Sequence, residues 1–117
     1  MAIDSGWEEV EVALRRWETI ASLKPTIAAM TRAAGILKAG LATDEVQPSV
    51  SHMWLNLGRG HRRRRVGVGW TEASRVSLGE ATGYSVCFIE PSMDVTDRKI
   101  VAEADLVDVV REYLASL

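Results

Sequence analysis

Five arginines and one histidine fall within positions 59–65 of the stretch GRGHRRRRVGVGW (58–70), after which the chain turns abruptly apolar. Each guanidinium is a rigid fork of donors that matches carboxylate and phosphate oxygens. The stretch therefore has the chemistry of a grip on nucleic acid or on an acidic protein. The same residues could also do no more than solvate a strand end and discourage edge-to-edge pairing. Whole-chain charge narrows the choice. Sixteen Asp and Glu offset fourteen Lys and Arg, for a net charge of −2, whereas non-specific affinity for nucleic acid needs many uncompensated cations. An acidic protein partner is thus the first reading, and a nucleic-acid module through Arg59–Arg65 is the alternative.

No other cluster points to catalysis. Cys87 lies within the apolar YSVCFI, where a cysteine acts as a small buried hydrophobe with nothing beside it to favour the thiolate. His52 and His61 have no cysteine or carboxylate at metal-ligand spacing. GILKAG (35–40) has the outer glycines of a phosphate loop, but its lysine precedes the second glycine and no Ser or Thr follows. GVG lacks the third glycine of a dinucleotide site, and no nucleophile-elbow pattern is present. The sequence predicts no cofactor, no metal and a binding protein in preference to an enzyme. A small-ligand or enzymatic domain without a recognisable motif is the third reading.

The elements that position the basic run follow from periodicity. Residues 4–22 read as a helix capped by Asp4 or Ser5, with Trp7, Val10, Leu14 and Trp17 on one stripe. A second helix starts at Pro25, carries Ile27, Met30, Ala34, Leu37 and Leu41 on one face, and stops at Gly40. From Pro48 the period changes. SVSHMWLNL, RRRRVGVGW, SRVSLG and YSVCFIE read as antiparallel strands, EPSMDVTDR as a loop and RKIVA as a short fifth strand. EADLVDVVREYLASL is a closing helix with Leu106, Val109, Val110, Tyr113, Leu114 and Leu117 on one side. The expected fold is α+β: an N-terminal αα-hairpin, a four- or five-stranded antiparallel β-meander and a C-terminal helix, with the helices on one face of the sheet. At 117 residues, 47% of them hydrophobic, the chain fits a single domain over 1–117.

Taking GRGH (58–61) as a four-residue loop sets a register. Ser51, Met53, Leu55 and Leu57 then share the core face with Val68, Val66, Arg64 and Arg62, and Trp70 continues it. His52, Trp54 and Asn56 lie on the outer face with Gly67, Arg65 and Arg63, which places Trp54 opposite Arg65 in cation–π range above a floor of Gly67 and Gly69. The candidate binding residues are His52, Trp54, Asn56, Arg59, Arg63 and Arg65. Arg62 and Arg64, on the core side, are expected to pass the helices or to pair with acidic groups, Asp94, Asp97, Glu103, Asp105, Asp108 and Glu112 being candidates. Cys87 and Ile89 are left on the outer face, where an apolar patch would favour a homodimer.

The helical N-terminal half followed by PSVSHMWLNL, VGVGW and GYSVCFI as a meander resembles small bacterial α+β proteins of unknown function found among immunity- or antitoxin-like genes and mobile gene cassettes. That resemblance implies a binding protein and carries over no functional residue. The N-terminus lacks the basic and apolar regions of a signal peptide, no apolar run reaches the ~20 residues of a membrane span, and one cysteine fits a reducing compartment. The expected location is cytoplasmic.

Overall fold

The computed structural model describes residues 6–17, 19–20, 24–41, 46–51, 54–58, 63–70 and 83–117. Helix α1 (Trp7–Trp17) begins later than periodicity suggests. Gly6 sits at φ +94°, outside helical space, while its carbonyl accepts the Val10 N–H at 3.0 Å. A side chain at that position would also meet the Pro48 carbonyl oxygen at 2.8 Å, so glycine is required on two counts. Asp4 and Ser5, expected as caps, lie outside the described residues. At the other end the Ile20 N–H bonds back to the Trp17 carbonyl and closes the helix.

Helix α2 (Lys24–Gly40) buries Ile27, Met30, Ala34 and Leu37, with Leu41 just beyond it. Its last carbonyls need donors, and the Arg111 guanidinium supplies one to Gly40 O at 2.6 Å. That bond ties α2 to the C-terminal helix. Val107 packs so closely on Gly40 that an added Cβ would lie 2.7 Å from it.

Among the described residues, five strands form one antiparallel sheet in chain order: β1 (Gln47–Ser51), β2 (Trp54–Gly58), β3 (Arg65–Gly69), β4 (Gly83–Ile89) and β5 (Val95–Ala102). A 3₁₀ turn at Glu103–Asp105 leads into helix α3 (Leu106–Ala115). The α+β fold expected from the sequence is present. Trp7, Val10 and Leu14 of α1, the α2 stripe and Leu106 and Val110 of α3 join Leu55, Leu57, Val66, Val68, Tyr84, Val86, Phe88 and Val101 in one core on a single face of the sheet. Trp70 belongs to this core too. Leu117 does not; it is 41% exposed.

Two strand expectations need correction. SVSHMWLNL is two strands, because Ser51 pairs with Trp54 and Val50 with Leu55. As a single strand it would put Ser49 and Ser51 on the core face. The reversal turns both serines outward and brings Pro48 and Val50 to the core side beside Leu57 and Leu55. The second correction is register. Leu55 pairs with Val68, Asn56 with Gly67 and Leu57 with Val66, a slip of four positions from the expected pairing. That slip sets valines against the leucines, where the expected pairing set arginines against them. Four is even, so the paired side chains of β2 and β3 stay on their expected faces. The segment 74–79, SRVSLG, lies outside the described residues. RKIVA is part of β5, which begins earlier than expected because the reversal is complete within Glu90–Asp94.

Candidate functional site

The outer face of the sheet can be laid out row by row from the pairing. Ser51, Trp54, Gly69, Ser85 and Ile100 form one row across the five strands; Ser49, Asn56, Gly67 and Cys87 form the next; Gln47, Gly58, Arg65, Ile89 and Val95 form the third. Each glycine of β2 and β3 is overlaid by a neighbour. The Trp54 ring lies on Gly69, 2.9 Å from where a Cβ would stand; the Ile89 tip lies on Gly67 at 2.7 Å and the Arg65 stem on Gly58 at 2.7 Å. The expected Trp54–Arg65 stack is therefore absent. With the register slipped, Arg65 stands opposite Gly58 and its Nη2 reaches the Met93 sulfur at 3.6 Å.

A hollow of about 320 Å³ remains on this face, lined by Ser51, Trp54, Asn56, Ile89 and Met93. Asn56 is only 1% exposed. Its Nδ2 donates to Ser51 Oγ at 3.2 Å and to the Trp54 carbonyl at 3.0 Å, which fixes the amide orientation. Its Oδ1 is buried and accepts no hydrogen bond among the described residues. Met93 stands at the edge with φ +75°, a backbone region rarely occupied by a side-chain-bearing residue.

Cys87 and Ile89, expected as an exposed apolar patch, are 0% and 3% exposed within one chain, so they offer nothing for a second copy to cover. Burial raises the Cys87 thiol to about 11, away from any nucleophilic role. Arg98 reaches over this region and donates from Nε and Nη2 to Ser85 Oγ at 3.2 and 3.0 Å.

Of the arginine run, Arg64 and Arg65 keep the faces that alternation assigns them, Arg63 does not, and Arg62, expected on the core side, lies outside the described residues. Arg64 is on the core side. Its Nε donates to Glu90 Oε2 at 2.7 Å, and its guanidinium lies 4.0 Å from the centre of the Phe88 ring. Thr96 Oγ1 donates to the same carboxylate oxygen at 3.0 Å. The Arg64 hydrogen bond is the main reason the Glu90 carboxyl titrates below its ordinary range. Glu90 was not among the acidic residues the sequence suggested; it stands in β4's continuation, on the same face as Phe88, and a parity count along β4 would have found it. Phe88 in turn stacks on Tyr113 of α3 with ring centres 4.6 Å apart.

Arg63 leaves the expected outer patch. It is exposed and lines a cleft of about 590 Å³ together with Arg64, Leu114, Ala115 and Leu117, between the approach to β3 and the end of α3. Of the six candidate residues, then, Trp54, Asn56 and Arg65 share the outer face, Arg63 belongs to the cleft, and His52 and Arg59 lie outside the described residues. Sequence reasoning missed Leu114 and Leu117 as site residues because it assigned both to the core.

Glu103 is the third polar centre. It takes Arg32 Nε and Nη2 at 2.7 and 2.8 Å and the Tyr84 hydroxyl at 3.0 Å. Bidentate bonding to Arg32 holds this carboxyl below its usual range, and burial pushes the Tyr84 phenol up. The network joins α2, β4 and the 3₁₀ turn, and opens on neither hollow. Among the described residues, no group of three His, Cys, Asp or Glu is placed to hold a metal ion, and no helix is long and apolar enough to cross a membrane.

Comparison with known proteins finds no matching family model, no similar curated protein and no similar solved structure.

Proposed function

We propose that this chain is a non-enzymatic interaction protein that grips an acidic, partly apolar segment of a partner protein in the cleft between Arg63 and the end of α3. One observation carries the reading. Of the two arginines that line the cleft, Arg64 is neutralised by Glu90 at 2.7 Å and made part of the fold, whereas Arg63 is exposed beside the apolar Leu114, Ala115 and Leu117. A guanidinium with no carboxylate partner among the described residues, on the rim of an apolar floor, suits a partner presenting a carboxylate next to an aliphatic side chain. Arg65, on the far face, extends the positive field around the same strand end. Such a surface fits an immunity- or antitoxin-like role, acting by coverage of its partner, and the free thiol of Cys87 fits the cytoplasm.

The test is a fluorescence-anisotropy titration with a labelled peptide of alternating Glu and Leu and, in parallel, with labelled mixed-sequence DNA and RNA at about 0.1 M salt. The peptide is expected to bind, and Arg63→Glu to weaken it by about tenfold or more. Binding of nucleic acid in its place, with affinity falling steeply as salt rises, would overturn the reading in favour of a nucleic-acid module.

A further inference from the structure

The hollow over Asn56 plays no part in the cleft just described, and its chemistry is different. We propose that it is a binding site for a small, flat, uncharged heterocycle that donates one N–H hydrogen bond. Its walls are the Trp54 ring, seated on Gly69, the Ile89 side chain, held on Gly67, and Met93. These surfaces reward an apolar, planar guest. Its polar groups are the Ser51 hydroxyl and the Asn56 carboxamide, whose Nδ2 is committed to Ser51 and the Trp54 carbonyl and whose buried Oδ1 has no donor among the described residues. A buried acceptor with no partner is unfavourable until a donor reaches it. The charge of the guest is limited on both sides. An anion would face the electron-rich Oδ1 among apolar walls, and a cation would face Arg65, whose guanidinium touches Met93 at 3.6 Å.

Met93 is the exposed wall of the hollow. Asn56 is 1% exposed and Met93 is 51% exposed; both line the hollow, and the unbranched Met93 side chain can shift to admit a guest. The same residue holds a left-handed backbone at φ +75°, where glycine would be the unstrained choice. A side chain of this hollow thus stands on a strained backbone.

The experiment is a titration of the isotope-labelled chain with indole and with 1-methylindole, read by NMR at the Asn56 side-chain amide and the Trp54 indole N–H. Indole is expected to saturate the site and to bind about tenfold more tightly than its N-methyl analogue, which has the same shape and no donor. Asn56→Leu is expected to erase that preference. Met93→Gly, which the backbone at 93 accepts without strain, is expected to weaken indole while the fold is kept, so the result does not depend on how well the Asn56 variant folds. Equal affinity for the two probes, shifts centred away from Ser51, Trp54, Asn56, Ile89 and Met93, or no binding up to millimolar indole would each overturn the proposal.

Discussion

Gly69→Ala tests the packing of the outer sheet face most sharply. A methyl group at 69 would stand 2.9 Å from both Cε3 and Cζ3 of Trp54, closer than carbon atoms pack, so the indole must lift off the sheet. Overpacking of this kind costs about 1–3 kcal/mol. Replacing a strand glycine whose backbone suits any residue returns about 0.5–1 kcal/mol through the unfolded chain. The net expectation is a loss of about 1–2 kcal/mol, read as a lowered urea midpoint with an unchanged slope. In a Trp54→Ala background the obstruction is gone, and Gly69→Ala should become stabilising by about 0.5 kcal/mol. The effect of one methyl group then changes sign with its neighbour, a coupling of about 1.5–2.5 kcal/mol in a double-mutant cycle. If the two substitutions add to within about 0.5 kcal/mol, Trp54 does not rest on Gly69. The β2–β3 register and the hollow built on it would then be wrong.

Adjacent arginines should separate cleanly: Arg64→Ala lowers the melting temperature because it releases Glu90 and uncovers Phe88, while Arg63→Ala leaves it unchanged, as thermal melts of the two variants will show. The Glu103 carboxyl is held below its ordinary range in the folded protein, so the unfolded chain binds more protons in acid and the stability from this group is present above the unfolded value near 4.3 and lost as pH falls through the lower folded value. Urea melts between about pH 3 and pH 6 should therefore show a steeper loss in the wild type than in Glu103→Gln, and parallel curves would refute the assignment. Cys87, fully buried with its thiol raised to about 11, should resist a disulfide-exchange reagent at pH 8 until the protein is unfolded, and rapid reaction of the native chain would show that the outer face is open there.

The helices were legible because their apolar stripes have no rival interpretation: Val10, Leu14, Ile27, Met30 and Leu37 are all buried as their spacing requires. Face assignment along β2 and β3 was equally legible, since parity survives any even slip. Register was not, because it depends on where the connection between Gly58 and Arg65 begins and ends, and the arginines themselves gave no sign that, of Arg63, Arg64 and Arg65, the last alone enters the strand. The hairpin between Ser51 and Trp54 was hidden for a different reason. Its reversal carries none of the glycine or asparagine that marks two-residue turns, and only the burial of Pro48 and Val50 against Leu57 and Leu55 reveals it. The candidate site divided accordingly. Trp54, Asn56 and Arg65 follow from alternation alone, whereas the move of Arg63 toward Leu114 depends on a helix far away in sequence.

The central claim is that Arg63, which pairs with no carboxylate among the described residues, works at the end of α3 and not beside Trp54. Mapping backbone amide shifts of the labelled chain during titration with the alternating Glu and Leu peptide tests it directly. Shifts concentrated at Arg63, Arg64, Leu114, Ala115 and Leu117, and suppressed by Arg63→Glu, are the predicted result. Shifts concentrated at Trp54, Asn56 and Arg65, and unaffected by that substitution, would contradict it.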